Sequence, residues 1–205
     1  MPLGRVLLIA LVVLGLTSPS ASADVLLTPF VGANVGGSSS APIASLVGDA
    51  SRTSFGASAA IMSGGVLGLE ADFGYTPRFF SAEIPIAGVP LTLAQNRVIT
   101  AMANLTAGVP IQGRSGVGIR PYGVSGVGLI RQQIDLVGGL AGYTANDLGY
   151  NVGGGLMVFF GRHVGLRGDV RHFRGVGGSG LTDLLDLEPG AFNFTRTSVG
   201  VTFRY

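Results

Sequence analysis

The chain has 205 residues, of which 47% are hydrophobic and only 12% are charged, and its formal net charge is +2. Every basic residue is an arginine, and the arginines are scattered rather than clustered, so a nucleic-acid-binding patch is not predicted. The absence of cysteine excludes disulfides and lipid attachment to an amino-terminal cysteine. Glycine is frequent, with 35 residues, but the high apolar content argues against a disordered chain.

The amino terminus has the pattern of an export signal. Arg5 precedes an apolar run from Val6 to Leu16, and Ala21-Ser22-Ala23 is a small-residue cleavage site. The apolar run is shorter than the roughly 20 residues that span a bilayer as a helix. We therefore expect a cleaved signal peptide at 1–23 and a single mature domain at 24–205.

Eight segments of the mature chain alternate between apolar residues and polar or small residues, which is typical of strands with two different faces. In the clearest, Leu67, Leu69 and Ala71 alternate with Glu70 and Asp72. The predicted strands are 28–35, 53–62, 66–76, 98–109, 119–131, 148–160, 164–174 and 192–205.

The connections between these strands alternate between long and short. The segment 77–96 contains three prolines and is predicted to form no regular strand, and 132–147 reads as a long glycine-rich loop. Short turns at one end and long loops at the other are typical of bacterial outer-membrane barrels. The predicted fold class is all-β: an eight-stranded antiparallel up-and-down transmembrane barrel with short periplasmic turns and long extracellular loops.

Seven charged residues lie on the strand faces opposite the apolar residues. Turned outward, they are too few to solvate the surface of a soluble barrel such as a lipocalin. Turned inward, they can pair within a narrow polar lumen. The predicted interior charge network is Glu70, Asp72, Arg167, Asp169, Arg171, Arg196 and Arg204.

Aromatic residues are predicted to form girdles where the barrel surface meets the two membrane–water interfaces. The facing of strand 119–131 is ambiguous because both of its faces carry apolar side chains, and Tyr122 is assigned outward. The predicted girdle and assembly-signal residues are Tyr75, Tyr122, Phe160, Phe203 and Tyr205.

Several of these segments resemble strands of the small porin-like family of Gram-negative outer-membrane barrels, which includes the OmpA and OmpX transmembrane domains and the opacity adhesins. The similar segments are GLEADFGYTP (68–77), RPYGVSGVG (120–128), NVGGGL (151–156), LRGDVRHF (166–173) and the terminal TSVGVTFRY. The resemblance implies an outer-membrane location with both termini in the periplasm. It also implies that the terminal strand is presented to the outer-membrane assembly machinery. Because the chain ends at the barrel, we expect no peptidoglycan-binding domain and no wall tethering.

Catalytic chemistry is not predicted. His163 falls in a predicted periplasmic turn, and His172 is followed by Phe173 and Arg174. A lipid A deacylase barrel of similar size uses a His-x-Ser pair with an acidic partner, and that serine is missing here. No cofactor or metal site is predicted.

The predicted function is therefore structural or a surface interaction, resembling adhesion, through the long extracellular loops. Candidate contact segments are Ser38-Ser39-Ser40, Ile84-Pro85-Ile86 and 184–187. A narrow passive pore for small solutes and a lipid-modifying enzyme remain alternatives. The expected partners are outer-membrane lipid, the assembly machinery and a surface ligand of the loops.

Overall fold

The structure is a computed structural model of the chain, and it describes residues 23–38, 52–64, 66–79, 83–86, 89–92, 94–111, 116–136, 142–176 and 192–205. The predicted signal peptide therefore lies almost entirely outside the described residues. The strands are β1 (Ala23–Ser38), β2 (Arg52–Ser63), β3 (Leu67–Pro77), β4 (Glu83–Ile86), β5 (Val89–Thr92), β6 (Ala94–Gly108), β7 (Gly118–Leu136), β8 (Gly142–Phe159), β9 (Val164–Val176) and β10 (Asn193–Arg204).

Eight of these strands close into one antiparallel barrel in the order β1-β10-β9-β8-β7-β6-β3-β2. Each is paired with its neighbours in sequence, apart from the closing pair β1–β10 and the pair β3–β6, between which β4 and β5 are inserted. Closure leaves no edge strand with unpaired backbone groups in the hydrocarbon region of a bilayer. The eight predicted strands and their up-and-down order are confirmed.

The register fixes the tilt of the strands. Starting at Asn34, a line of directly paired residues passes through every barrel strand and returns to β1 at Asp24, ten residues nearer its start. The paired residues along this line are Asn34, Arg196, Arg171, Gly153, Val124, Thr106, Gly68, Met62 and Asp24. A stagger of ten residues over eight strands corresponds to a strand tilt of about 40°.

The outer surface of the barrel is apolar. Leu69, Leu105 and Val127 are each at least 60% exposed, and they face outward from three adjacent strands. With the tilt above, outward apolar positions from Tyr205 up to Ile99 cover a band about 25 Å tall, which matches the band of outer-membrane barrels. Among the described residues, no helix has the length and apolarity needed to cross a bilayer.

Two loop predictions are corrected. The proline-rich segment 77–96 contains a short hairpin of β4 and β5, in which Pro85 is paired with Pro90. The segment 132–147 is mostly strand, because β7 continues to Leu136 and β8 already begins at Gly142. Above the membrane both faces of a hairpin meet water, so polar residues such as Gln132 and Gln133 can form strands without apolar alternation.

The interior of the barrel has three layers. An apolar cluster lies at the periplasmic end and includes Met62, Met157 and Phe159, and a second lies at the extracellular end and includes Phe79, Phe173 and Phe194. Charged and polar side chains fill the layer between them, including Glu70, Asp72, Arg167 and Arg171, which are each at most 3% exposed.

Candidate functional site in the barrel lumen

Glu70 lies at the centre of the middle layer and binds two arginines. Its Oε1 accepts a hydrogen bond from Arg171 Nη1 at 2.7 Å, and its Oε2 lies 2.6 Å from Arg167 Nη2. Asn104, directly opposite on β6, donates to Oε1 at 2.9 Å, and Asn151 donates in turn to Asn104. The carboxylate is therefore held from two other strands, β6 and β9, and Asn151 on β8 supports Asn104.

Asp169 forms the second node of the layer. It accepts hydrogen bonds from Arg167 Nε and Arg171 Nη2, both at 3.1 Å, and from the hydroxyl of Ser198 at 2.9 Å. Tyr122 also donates to Asp169 at 2.8 Å, while its oxygen accepts from Arg167 Nε at 2.7 Å. Because Tyr122 is on β7 and Asp169 on β9, this contact crosses the inner face of β8, which lies between the two strands.

Asp72 and Arg196 form the third node, nearest the extracellular cluster. Arg196 Nη2 donates to the carboxylate of Asp72 at 2.8 Å, and Arg171 Nη1 lies 3.4 Å from the same carboxylate. The Arg196 guanidinium also lies over the rings of Phe30 and Phe173, 4.5 and 4.9 Å from their centroids. Cation–π contact of this kind lowers the cost of burying a guanidinium.

We call these six ionised residues the central ion network: Glu70, Asp72, Asp169, Arg167, Arg171 and Arg196. Three carboxylates face three guanidiniums, so the formal charges balance. A buried charge is tolerated when it is paired and its remaining hydrogen-bonding groups find partners. The pairing of the six charged side chains therefore explains how they can be buried in the lumen.

Inward glycines make room for this network. A Cβ built on Gly74 would lie 2.6 Å from Arg196 Nη1 and 2.6 Å from Thr100 Oγ1. A larger residue at this position would therefore displace the guanidinium that binds Asp72. The frequent glycine of the sequence is partly explained by such close approaches inside a narrow barrel.

The periplasmic end holds a separate set of charges. Arg120 Nη2 lies 2.8 Å from Asp24 Oδ2, and the guanidinium of Arg120 lies over the ring of Phe159. Arg204 also lies over Phe159 and donates to the backbone carbonyls of Arg162 and Gly161. Arg204 is therefore inside the barrel, but at its periplasmic end rather than in the central ion network.

The extracellular end of the lumen is closed by stacked aromatic rings. Phe173 and Phe194 are parallel, with centroids 4.8 Å apart, and Phe79 meets Phe192 and Phe194 edge-on. Phe173 is two residues from Arg171, and Phe194 is two from Arg196, so the alternation already placed both rings inside. Sequence reasoning stressed the charges and did not predict this aromatic layer.

The lumen is filled by side chains at the level of the central ion network. Its six members are each at most 7% exposed. A continuous water-filled channel would leave the side chains that line it exposed, so the described part of the lumen is closed at this level. The described residues contain no group of three potential metal-ligating side chains.

The prediction that Tyr122 faces outward is wrong. Its side chain is 6% exposed and points into the lumen, where it binds Asp169 and Arg167. The other four residues of the predicted girdle set lie outside the lumen. Phe160 and Tyr205 are 61% and 76% exposed at the periplasmic end, while Tyr75 and Phe203 are partly exposed.

Neither histidine lies in the lumen. His163 is exposed in the turn between β8 and β9. His172 is exposed on the outer face of β9, where its Nδ1 lies 3.1 Å from the hydroxyl oxygen of Thr195 on β10. Where burial is described, every carboxylate lies on the inward face of its strand, so within these residues the His172–Thr195 pair has no acidic partner.

A closed antiparallel barrel with an apolar outer band and charges inside defines an integral barrel of the bacterial outer membrane. The chain matches the family model described as outer membrane protein beta-barrel domain over residues 8–204, and it belongs to that family. The comparison with curated proteins found no match.

Solved structures of small barrels are similar over nearly their whole length. Neisserial surface protein A is 17% identical with a TM-score of 0.62, over 90% of this chain and 99% of that chain. OprG from Pseudomonas aeruginosa is 15% identical with a TM-score of 0.53, over 90% and 97%. Ail, the attachment invasion locus protein of Yersinia pestis, is 11% identical with a TM-score of 0.53, over 89% and 98%. At these identities the likeness concerns the fold.

Proposed function

We propose that this protein is a closed, non-enzymatic barrel that anchors its extracellular loops in the outer membrane for a structural or adhesion-like role. The observation that carries the proposal is the central ion network. Its six side chains join β3, β9 and β10 through the lumen, where a pore would need open space. A filled lumen gives the barrel a rigid cross-section and leaves the loops as the part able to meet a partner.

The outward surface supports a role without catalysis. The His172–Thr195 contact pairs a base with a hydroxyl, but activating a nucleophile also requires a group that orients the base. No carboxylate on an outward face supplies that group among the residues whose burial is described. Lipid A from cells with and without the protein should therefore have the same mass profile. A mass change that disappears in His172→Ala would instead favour the enzyme.

A loop-replacement series tests the surface role. The segments 39–51, 80–93, 137–141 and 177–191 would be replaced one at a time by Gly-Ser linkers of equal length, with the periplasmic-side segment 112–115 replaced as the control. We expect at least one extracellular replacement to reduce binding of expressing cells to immobilised matrix proteins or glycans, and the control to leave it unchanged. Equal binding by all variants and by cells lacking the protein would contradict the proposal.

We also propose that Phe203 and Tyr205 act in assembly, and that Tyr75, Phe160, Phe203 and Tyr205 form the interfacial girdles. The exposure of Phe160 and Tyr205 at the periplasmic end supports this role. Replacing Phe203 and Tyr205 by alanine should reduce the amount of folded protein in the outer membrane, measured by heat-modifiable gel migration. Unchanged folded amounts would argue against an assembly role.

A further inference from the structure

Three arginines on the outer face of the barrel lie near its extracellular rim. Arg97 on β6, Arg131 on β7 and Arg174 on β9 are all exposed. Their outward facing follows from the register, since Arg131 is paired with Ile99 and Arg174 is paired with Tyr150, which is 39% exposed. We call these three residues the arginine belt.

The register also places the arginine belt at one height. The line of paired residues descends ten residues over eight strands, or about 1.25 residues for each strand. On this scale Arg97, Arg131 and Arg174 lie within about two residues of one another along the barrel axis. They lie above most of the apolar band, where the hydrocarbon region gives way to lipid headgroups.

Among the residues whose burial is described, no carboxylate lies on the outer face near the arginine belt. All carboxylates whose burial is described face inward, and none of the three arginines forms an ion pair with them. Arg97 Nε donates to Gln133 Oε1 at 2.7 Å, which holds this guanidinium over β7. Arg97 and Arg131 are diagonal neighbours on adjacent strands, about 7–8 Å apart. The two guanidiniums repel each other at this separation, and an anion bound between them would relieve the repulsion.

We propose that the arginine belt binds the phosphate groups of phosphorylated lipid in the outer leaflet. A guanidinium presents two parallel N–H donors that match a phosphate, and it keeps its charge at every physiological pH. The aliphatic part of each side chain can lie along the apolar band while the guanidinium reaches the headgroup level. Because the arginines are spread over three strands, the belt fits a layer of headgroups better than one small ion.

Binding of lipid A to the full mature barrel in neutral detergent tests the proposal, with native mass spectrometry as the measurement. The probes are lipid A with two phosphates and the same lipid after removal of both. The test variant is Arg97→Gln/Arg131→Gln/Arg174→Gln. The matched control is Arg162→Gln, which removes one exposed arginine at the periplasmic end. Heat-modifiable gel migration would establish that each barrel is folded.

We expect the triple variant to bind the phosphorylated lipid about tenfold or more weakly, and Arg162→Gln to bind like the wild type. Binding by the wild type should also fall between about 0.05 and 0.5 M NaCl, because salt screens exposed charges. Equal affinity for the dephosphorylated lipid, no loss in the triple variant, or an equal loss in Arg162→Gln would overturn the proposal. Displacement of the lipid by about 10 mM inorganic phosphate would instead show a site for free anions. If the triple variant does not fold, the salt dependence of lipid binding by the wild type still tests the proposal.

Discussion

Arg171 and Glu70 are 101 residues apart in the sequence, yet Arg171 Nη1 lies 2.7 Å from Glu70 Oε1 in the middle of the lumen. The same arginine also contacts Asp169 and Asp72, so it joins all three carboxylates of the central ion network. Closure of the barrel brings β3 and β9 face to face across the lumen, although neither strand is a neighbour of the other.

Replacing Glu70 by glutamine should strongly destabilise the barrel. The change leaves Arg167 and Arg171 with an excess buried positive charge, and removing one partner of a buried pair costs about 3–5 kcal/mol. Urea unfolding in micelles, followed by gel mobility, would measure the loss. The double variant Glu70→Gln/Arg171→Met restores charge balance and should recover part of the stability. An unfolding free energy of Glu70→Gln equal to that of the exposed control Arg162→Gln would contradict the role of the network.

Replacing Tyr122 by phenylalanine tests the inward position of its hydroxyl. The ring and its contact with the Arg167 guanidinium, 4.7 Å from the ring centroid, would remain, but two hydrogen bonds would be lost. Unsatisfied buried groups cost about 1–3 kcal/mol, so we expect a loss of that size in the same unfolding assay. Tyr150→Phe is the matched control because Tyr150 faces outward. Equal stabilities of the two variants would contradict the inward position of the Tyr122 hydroxyl and favour the predicted position in the girdle.

The close approach of Arg196 to Gly74 can be tested by adding a methyl group at position 74. Gly74→Ala places a Cβ against Arg196 Nη1 and should cost about 1–3 kcal/mol, because the guanidinium must move away from Asp72. Gly168→Ala is the control, since its Cβ would have no heavy atom nearer than 3.9 Å. Thermal unfolding of the two variants should therefore differ clearly. A Gly74→Ala barrel as stable as Gly168→Ala would show that Arg196 moves without cost.

The strands of the barrel were predictable because a bilayer imposes one rule on all of them. In β3, and in β9 up to Val170, lipid favours an apolar residue or glycine at every second position, and charged residues such as Glu70 and Asp169 occupy the positions in between, which fixes the facing. In β7 the rule is weaker, because apolar side chains occur at both Tyr122 and Val127. There the facing is decided by the register with β6 and β8, which the sequence of one strand does not contain.

The partners inside the lumen were predictable as a set but not as pairs. Alternation placed Glu70, Asp169 and Arg171 on inward faces, and charge balance predicted pairing. Which arginine binds which carboxylate depends on the ten-residue stagger, which is a property of the closed barrel. The extension of β7 and β8 was missed because outside the membrane water satisfies both faces, and the alternation disappears.

The amino terminus of the mature protein is predicted by the small residues before Asp24. Signal cleavage after Ala23 would yield residues 24–205, which the intact mass of the protein from isolated outer membranes would show. Ala23→Leu should block processing, since the cleavage site requires small residues. A wild-type mass that includes residues 1–23 would contradict the predicted signal peptide.

The closed lumen is tested most directly by ion conductance of the wild-type barrel in planar bilayers. Flotation of labelled protein with vesicles of the same lipid would first establish that the barrel inserts. With insertion established, we predict no steady current above that of protein-free bilayers, because buried and paired side chains fill the lumen at Glu70 and Arg171. A large and stable conductance in the bilayers that contain the inserted barrel would contradict the closed lumen and favour a passive pore.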